Sequence, residues 1–188
     1  MKMIFIIEHL EPKLFPWCII EYKHISKIVG KNNVWFTNIK EKDTKKLNKY
    51  GKVSTNSLKE IKLDNLCILD PESKKTLLSK DKDKFKYFVF GGILGDYPPR
   101  KRTQEELTKF FPKAQIRNIG KDQFSTDNAV FVVKEILNGK SLKNITFQEG
   151  VEIKINDIES TILPFKYPLV NGKPNISPEL IEYLKKDS

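Results

Sequence analysis

Cysteine is scarce. The 188 residues hold two, Cys18 and Cys67, too few for the disulfide framework of a secreted scaffold. Histidine is equally rare, and His9 and His24 with those cysteines give no ligand spacing for zinc, so no metal is expected. Cys18 and His24, six apart on an expected helix, face different ways and make no nucleophile–base pair. Long apolar runs are missing too. The first, Met3–Ile7, falls far short of the roughly 20 residues that cross a bilayer. It stops at Glu8-His9, too soon for a signal peptide. Arginine supplies only three of the 34 basic residues, Arg100, Arg102 and Arg117. Recognition of bases and phosphates favours the arginine fork, so the net charge of +10 does not by itself call for nucleic acid. Two readings of it stay open, a solvated lysine-rich surface and a surface for RNA or the ribosome. The positive excess peaks in 41–86, with 13 basic against 8 acidic residues, and is least in 87–188, with 15 against 13.

Hydrophobic residues make up 39% and aromatic ones 11%, enough for a real core, and the Phe, Ile and Leu content excludes a disordered tail. A reduced, cytoplasmic protein of one domain, 1–188, is expected.

Short apolar strands alternate with helices. Strands are read at Met3–Ile7, Val34–Thr37, Leu66–Leu69, Tyr87–Phe90 and Ala114–Arg117. Helices are read at Phe15–Val29, with Gly30 as its stop, at Gln104–Phe111, at Thr126–Leu137 with Ser125 as N-cap, and at Pro178–Lys186. Residues 40–62 read as a polar connector, and Thr146–Leu169 as short extended pieces. This alternation implies an α/β fold, a mostly parallel sheet with helices on both faces. Ligands of such sheets gather outside the carboxyl ends of the strands. Here that edge carries Glu8, Thr37, Asp70, Gly91-Gly92 and Asn118–Gly120.

Two loops on that edge stand out. FGGILGDYPPRKR (Phe90–Arg102) places three glycines within five residues after a buried strand, which lets a ligand approach the backbone closely. It does not open into a helix, because Pro98 and Pro99 push the residues before them out of the helical region. The dinucleotide-binding reading therefore fails. The second loop, Asn118–Asp127, leads into the apolar helix, and its Ser-Thr-Asp cluster serves either a pocket or that helix's cap.

GGILGDYPPR and IGKDQFSTDNA, with IIEH and WCIIEY near the start and LPFKY and KKDS near the end, together resemble one family. It is the SPOUT-class methyltransferase group whose yeast member is an arginine methyltransferase of a small-subunit ribosomal protein. Tyr97 and the Phe124-Ser125 pair depart from its pattern. The resemblance implies a C-terminal trefoil knot that holds S-adenosylmethionine. Carried over by position, the cofactor residues would be Gly91, Gly92, Ile93, Gly95, Asn118, Ile119, Gly120, Phe124, Ser125, Thr126, Asp127 and Ala129, with a wall near Ile162–Phe165. The glycines would be needed because a Cβ there would meet the cofactor or strain the chain. The yeast relative is regarded as monomeric, and a monomer is expected here.

An arginine acceptor stays protonated and carries five donors, so carboxylates should grip it. Glu21 interrupts an apolar helix stripe, Glu8 ends the first strand, and Asp96 follows the glycine loop. The expectation is that Glu21 and Glu8 hold the guanidinium while Asp96 orients it and takes the proton. Glu21 has the alternative of a structural ion pair, Glu8 of a surface strand end, and Asp96 of a turn. Asp70 reads as a turn former. An RNA acceptor would instead use Arg100, Lys101 and Arg102 beside the loop, with Trp35 and Phe36 for stacking. A third reading, a ribosome-associated binding protein without activity, sits poorly with the intact glycines.

Overall fold

The computed structural model describes residues 2–186. Six strands, β1 (Ile4–His9), β2 (Val34–Thr37), β3 (Lys52–Val53), β4 (Leu66–Leu69), β5 (Tyr87–Gly92) and β6 (Gln115–Arg117), pair in the order β3-β2-β1-β5-β4-β6. Every pairing is parallel. Such strands are buried on both faces and read as continuous apolar runs, which is why they stand out in the sequence.

The two faces are covered unequally. Period-two alternation sends Phe5, Ile7, Phe36, Phe88 and Phe90 to one side, where they pack under two long helices, α1 (Pro16–Val29) and α4 (Thr126–Leu137). Ile6, Trp35, Ile68 and Val89 point to the other side, where Leu58 and Leu107 from short turns cover them. The expected helix at Gln104–Phe111 is only α3 (Arg102–Glu106), followed by a single 3-10 turn at Thr108–Phe110. Leu107 leaves helical geometry at φ −122° and ψ −69°. That break lets Leu107 bury completely and Thr108 donate to Asp70 at 2.6 Å. Residues 40–62 contain the one-turn helix α2 (Thr44–Leu47) as well as β3.

The largest departure from the sequence reading lies near the C-terminus. Thr146–Leu169 does not form short pieces. β7 (Phe147–Lys154) and β8 (Ser160–Val170) make a long antiparallel ribbon, with β9 (Lys173–Pro174) on its far side. Val151, Ile153, Leu163, Phe165 and Tyr167 alternate inward and pack with Trp17 and Ile20 of α1 and with α5 (Pro178–Lys186). The prolines mislead: Pro164 falls where the register shifts between Glu149 and Val151, so no ladder hydrogen bond is lost there. No helix among the described residues is long and apolar enough to cross a membrane.

Candidate active site

The strands' carboxyl ends open onto a cavity of about 270 Å³. Leu69, Phe90, Leu94, Ile119, Phe124 and Ala129 give it apolar walls, and the backbones of Gly91, Gly95 and Gly120 run along it. Of the positions carried over from the family, Gly91, Ile93, Gly95, Ile119, Gly120, Phe124, Thr126 and Ala129 line this space. Gly92, Asn118, Ser125 and Asp127 do not, and each has another partner. Asn118 bridges Ser73 O and the Gly120 N–H, which shapes the turn. Ser125 heads α4 without capping it through its own side chain. Its hydroxyl donates instead to Asp127 Oδ1 at 2.6 Å, and that oxygen accepts the Asn128 N–H at 2.8 Å.

Protein packing accounts for two of the glycines. A Cβ on Gly92 would lie 2.2 Å from the Tyr22 hydroxyl, and one on Gly95 would lie 2.2 Å from the Phe165 ring. Each position admits an aromatic side chain, Tyr22 of α1 at Gly92 and Phe165 of β8 at Gly95. The glycine loop is pinned from outside by Glu11, which sequence reasoning missed. Its Oε1 accepts Leu94 N–H at 2.9 Å and Arg102 Nη1 at 2.8 Å. Arg102 also reaches Glu106 through Nε and Nη2.

The predicted carboxylates separate. Glu8 lies on the face of the sheet opposite α1, because it shares the parity of Ile6 rather than of Ile7. Its carboxylate accepts from Thr37 Oγ1 (2.5 Å), Ser57 Oγ (2.5 Å) and Leu58 N–H (3.0 Å). Glu8 therefore closes the β1–β2 end of the sheet, and the expectation that it grips the same group as Glu21 is corrected. His9, on the α1 side, bonds Tyr22 instead, at 2.8 Å. Asp96 borders the cavity, with Arg100 Nε 3.2 Å from its carboxylate. Asp70, read as a turn former, does bind the Glu72 N–H at 2.9 Å, but it also lines the cavity.

Glu21 is 3% exposed. Trp17 Nε1 donates to it at 2.8 Å, and Thr126, a cavity residue at the start of α4, lies beside it. Burial, and then the neighbouring Asp127 carboxylate, push the Glu21 carboxyl up to about 8. It is not the structural ion pair that the sequence left open: no Lys or Arg bridges it among the described residues. Of the four cations that line the cavity, Lys121 is exposed and has no ion pair among the described residues, and the other three are engaged. Lys101 pairs with Glu72 at 2.6 Å, Arg100 with Asp96, and Arg102 with Glu11 and Glu106. Trp35 and Phe36 are buried and offer no face on which a base could stack.

A family model described as "Protein arginine N-methyltransferase SFM1-like" matches residues 4–188. The chain belongs to this family. Protein arginine N-methyltransferase SFM1 of Saccharomyces cerevisiae is 36% identical over 204 residues, covering 99% of this chain and 96% of the relative. The crystal structure of yeast SFM1 complexed with SAM superposes with a TM-score of 0.89 at 36% identity, over 100% of this chain and 92% of the other. Dual specific Trm10 from Thermococcus kodakaraensis, 19% identical over 74% of this chain and 95% of its own, gives 0.57 and shares the fold.

Proposed function

We propose that the chain, as one SPOUT domain over 1–188, is a cytoplasmic, monomeric, S-adenosylmethionine-dependent methyltransferase of an arginine in a small-subunit ribosomal protein. The observation that carries this reading is Glu21: a buried carboxyl group without a cationic partner among the described residues, beside Thr126 of the cavity wall. The meeting of loops 91–96, 118–120 and 124–129 around one cavity supports a trefoil knot at that place. The cavity fits the cofactor, since apolar walls suit an adenine ring and the glycine-loop backbone offers peptide groups at close range. When bound, S-adenosylmethionine supplies an electrophilic methyl group. Ile93, Gly95, Ile119, Gly120, Phe124 and Ala129 would hold it, and the Glu11–Arg102 clasp would keep their loop in place.

The acceptor side belongs to this chain's carboxylates. Glu21, when ionised, grips the guanidinium in low dielectric, where a charge-assisted hydrogen bond is strongest. Asp96, at the rim, orients the reacting nitrogen and accepts the proton that methylation of an N–H displaces. An RNA acceptor has less support, because three of the four cations that line the cavity are paired with carboxylates and the candidate stacking aromatics are buried. Incubation with radiolabelled S-adenosylmethionine and small ribosomal subunits tests the reading. Label is expected on arginine in one protein, and label confined to RNA would overturn it.

A further inference from the structure

Tyr167 is 1% exposed, yet its hydroxyl has no hydrogen-bond partner among the described residues. A buried hydroxyl left unpaired is costly, and the groups around this one make it informative. Tyr167 of β8 packs in one cluster with Trp17 of α1, whose indole donates to the buried Glu21, and His24, one turn further along α1, bonds the buried Asp127 of α4. Both carboxyl groups act on the phenol, which burial first and then these charges hold well above the usual range. Neither accepts its proton. Asp127 is already served by Ser125, by the Asn128 N–H and by His24 Nδ1 at 2.6 Å. Glu21 is served by Trp17. Two carboxyl groups and an unpartnered phenol oxygen thus share one buried spot, bounded by the partly exposed Trp17 and His24.

We infer that Tyr167, Glu21 and Asp127 form the acceptor subsite, in which the phenol oxygen takes one N–H of the bound guanidinium and so selects arginine over lysine. The inference rests on the arginine reading above and adds two residues to it. A guanidinium spreads five donors in a plane, whereas an ammonium presents three from one point. Only the former reaches acceptors on three separate elements at once. Asp127 supplies charge here, held in place by His24, rather than contact with the cofactor.

Tyr167→Phe removes one oxygen and keeps the ring in the core. The variant should bind methylguanidinium, titrated by calorimetry in the presence of S-adenosylhomocysteine, about tenfold more weakly than the parent chain. Its affinity for S-adenosylhomocysteine should be unchanged and its Tm equal or higher, because an unpaired buried hydroxyl is gone. A purely structural Tyr167 would lower Tm and leave methylguanidinium affinity alone. In a Glu21→Gln background the loss should be smaller than in the parent, since both groups hold one ligand. Equal affinities in parent and variant, or no methylguanidinium binding by the parent, would overturn the inference. If methylguanidinium binds as expected while label from S-adenosylmethionine appears only in RNA, the arginine reading alone fails.

Discussion

Two carboxylates near the same sheet edge meet opposite fates. At the β1–β2 end, Glu8 accepts from two hydroxyls and a backbone N–H, and those donors join β1, β2 and the turn at Ser57–Leu58. Beside the cavity, Glu21 faces a second carboxylate, and an unpaired phenol stands close by. Both are buried; in the sequence Glu21 interrupts an apolar helix stripe and Glu8 ends an apolar strand. What separates them is satisfaction: Glu8 stabilises the fold it sits in, whereas Glu21 weakens it and leaves attraction to spare for a cation.

The contrast can be broken most sharply by neutralising each group. Glu21→Gln should lower methyl transfer to the arginine substrate by about a hundredfold. Cofactor affinity should hardly change and Tm should not fall, as scintillation counting, calorimetry and thermal melts would show. Glu8→Ala leaves three donors without their acceptor and should cost about 3 kcal/mol of stability in urea unfolding. Its activity loss should follow the unfolded fraction alone. If Glu8→Ala folded normally and lost turnover, the division between the two regions would be wrong.

A smaller effect concerns the glycine loop. Gly92→Ala should cost about 2 kcal/mol through overpacking against Tyr22, and Tyr22→Phe in the same chain should recover part of it. Recovery of Tm together with cofactor binding would mark Gly92 as a packing position. Loss of cofactor binding with no change in Tm would return it to the ligand.

The smallest expected effect is on the pH dependence of stability. Glu21 is raised in the folded chain from 4.5 to about 8, so the native state binds the extra proton between those values. Its favourable contribution is complete below about 4.5 and is lost as pH rises through about 8. Substrate affinity should move the other way, rising with pH as the carboxyl ionises in sight of Asp127, His24, Cys18 and Tyr167. Glu21→Gln should flatten both trends in melts and in KM profiles.

The parallel strands are legible because burial on both faces leaves runs such as IFII and YFVF. The β7–β8 ribbon is not, since lysines and two prolines dilute its alternation and the bulge that accommodates Pro164 is a tertiary feature. The cavity's loops show in their glycines and in the resemblance, but the physical need for Gly92 and Gly95 does not. Tyr22 and Phe165, which impose it, lie far from them along the chain. Glu21 is visible as a polar residue in an apolar stripe. Its neighbours Asp127 and Tyr167 are not, because only packing of α1, α4 and β8 brings the three together. Glu8 misleads for a local reason: the parity of β1 decides its face, and α1 covers the other one.

Proton release on binding reports on the protonation of Glu21 itself. Calorimetry of methylguanidinium binding at pH 7, in two buffers of different ionisation enthalpy with S-adenosylhomocysteine present, counts the protons set free. About one proton should leave the parent chain, as the guanidinium ionises Glu21, and none should leave Glu21→Gln. Binding without proton release, or equal release from both proteins, would contradict the account.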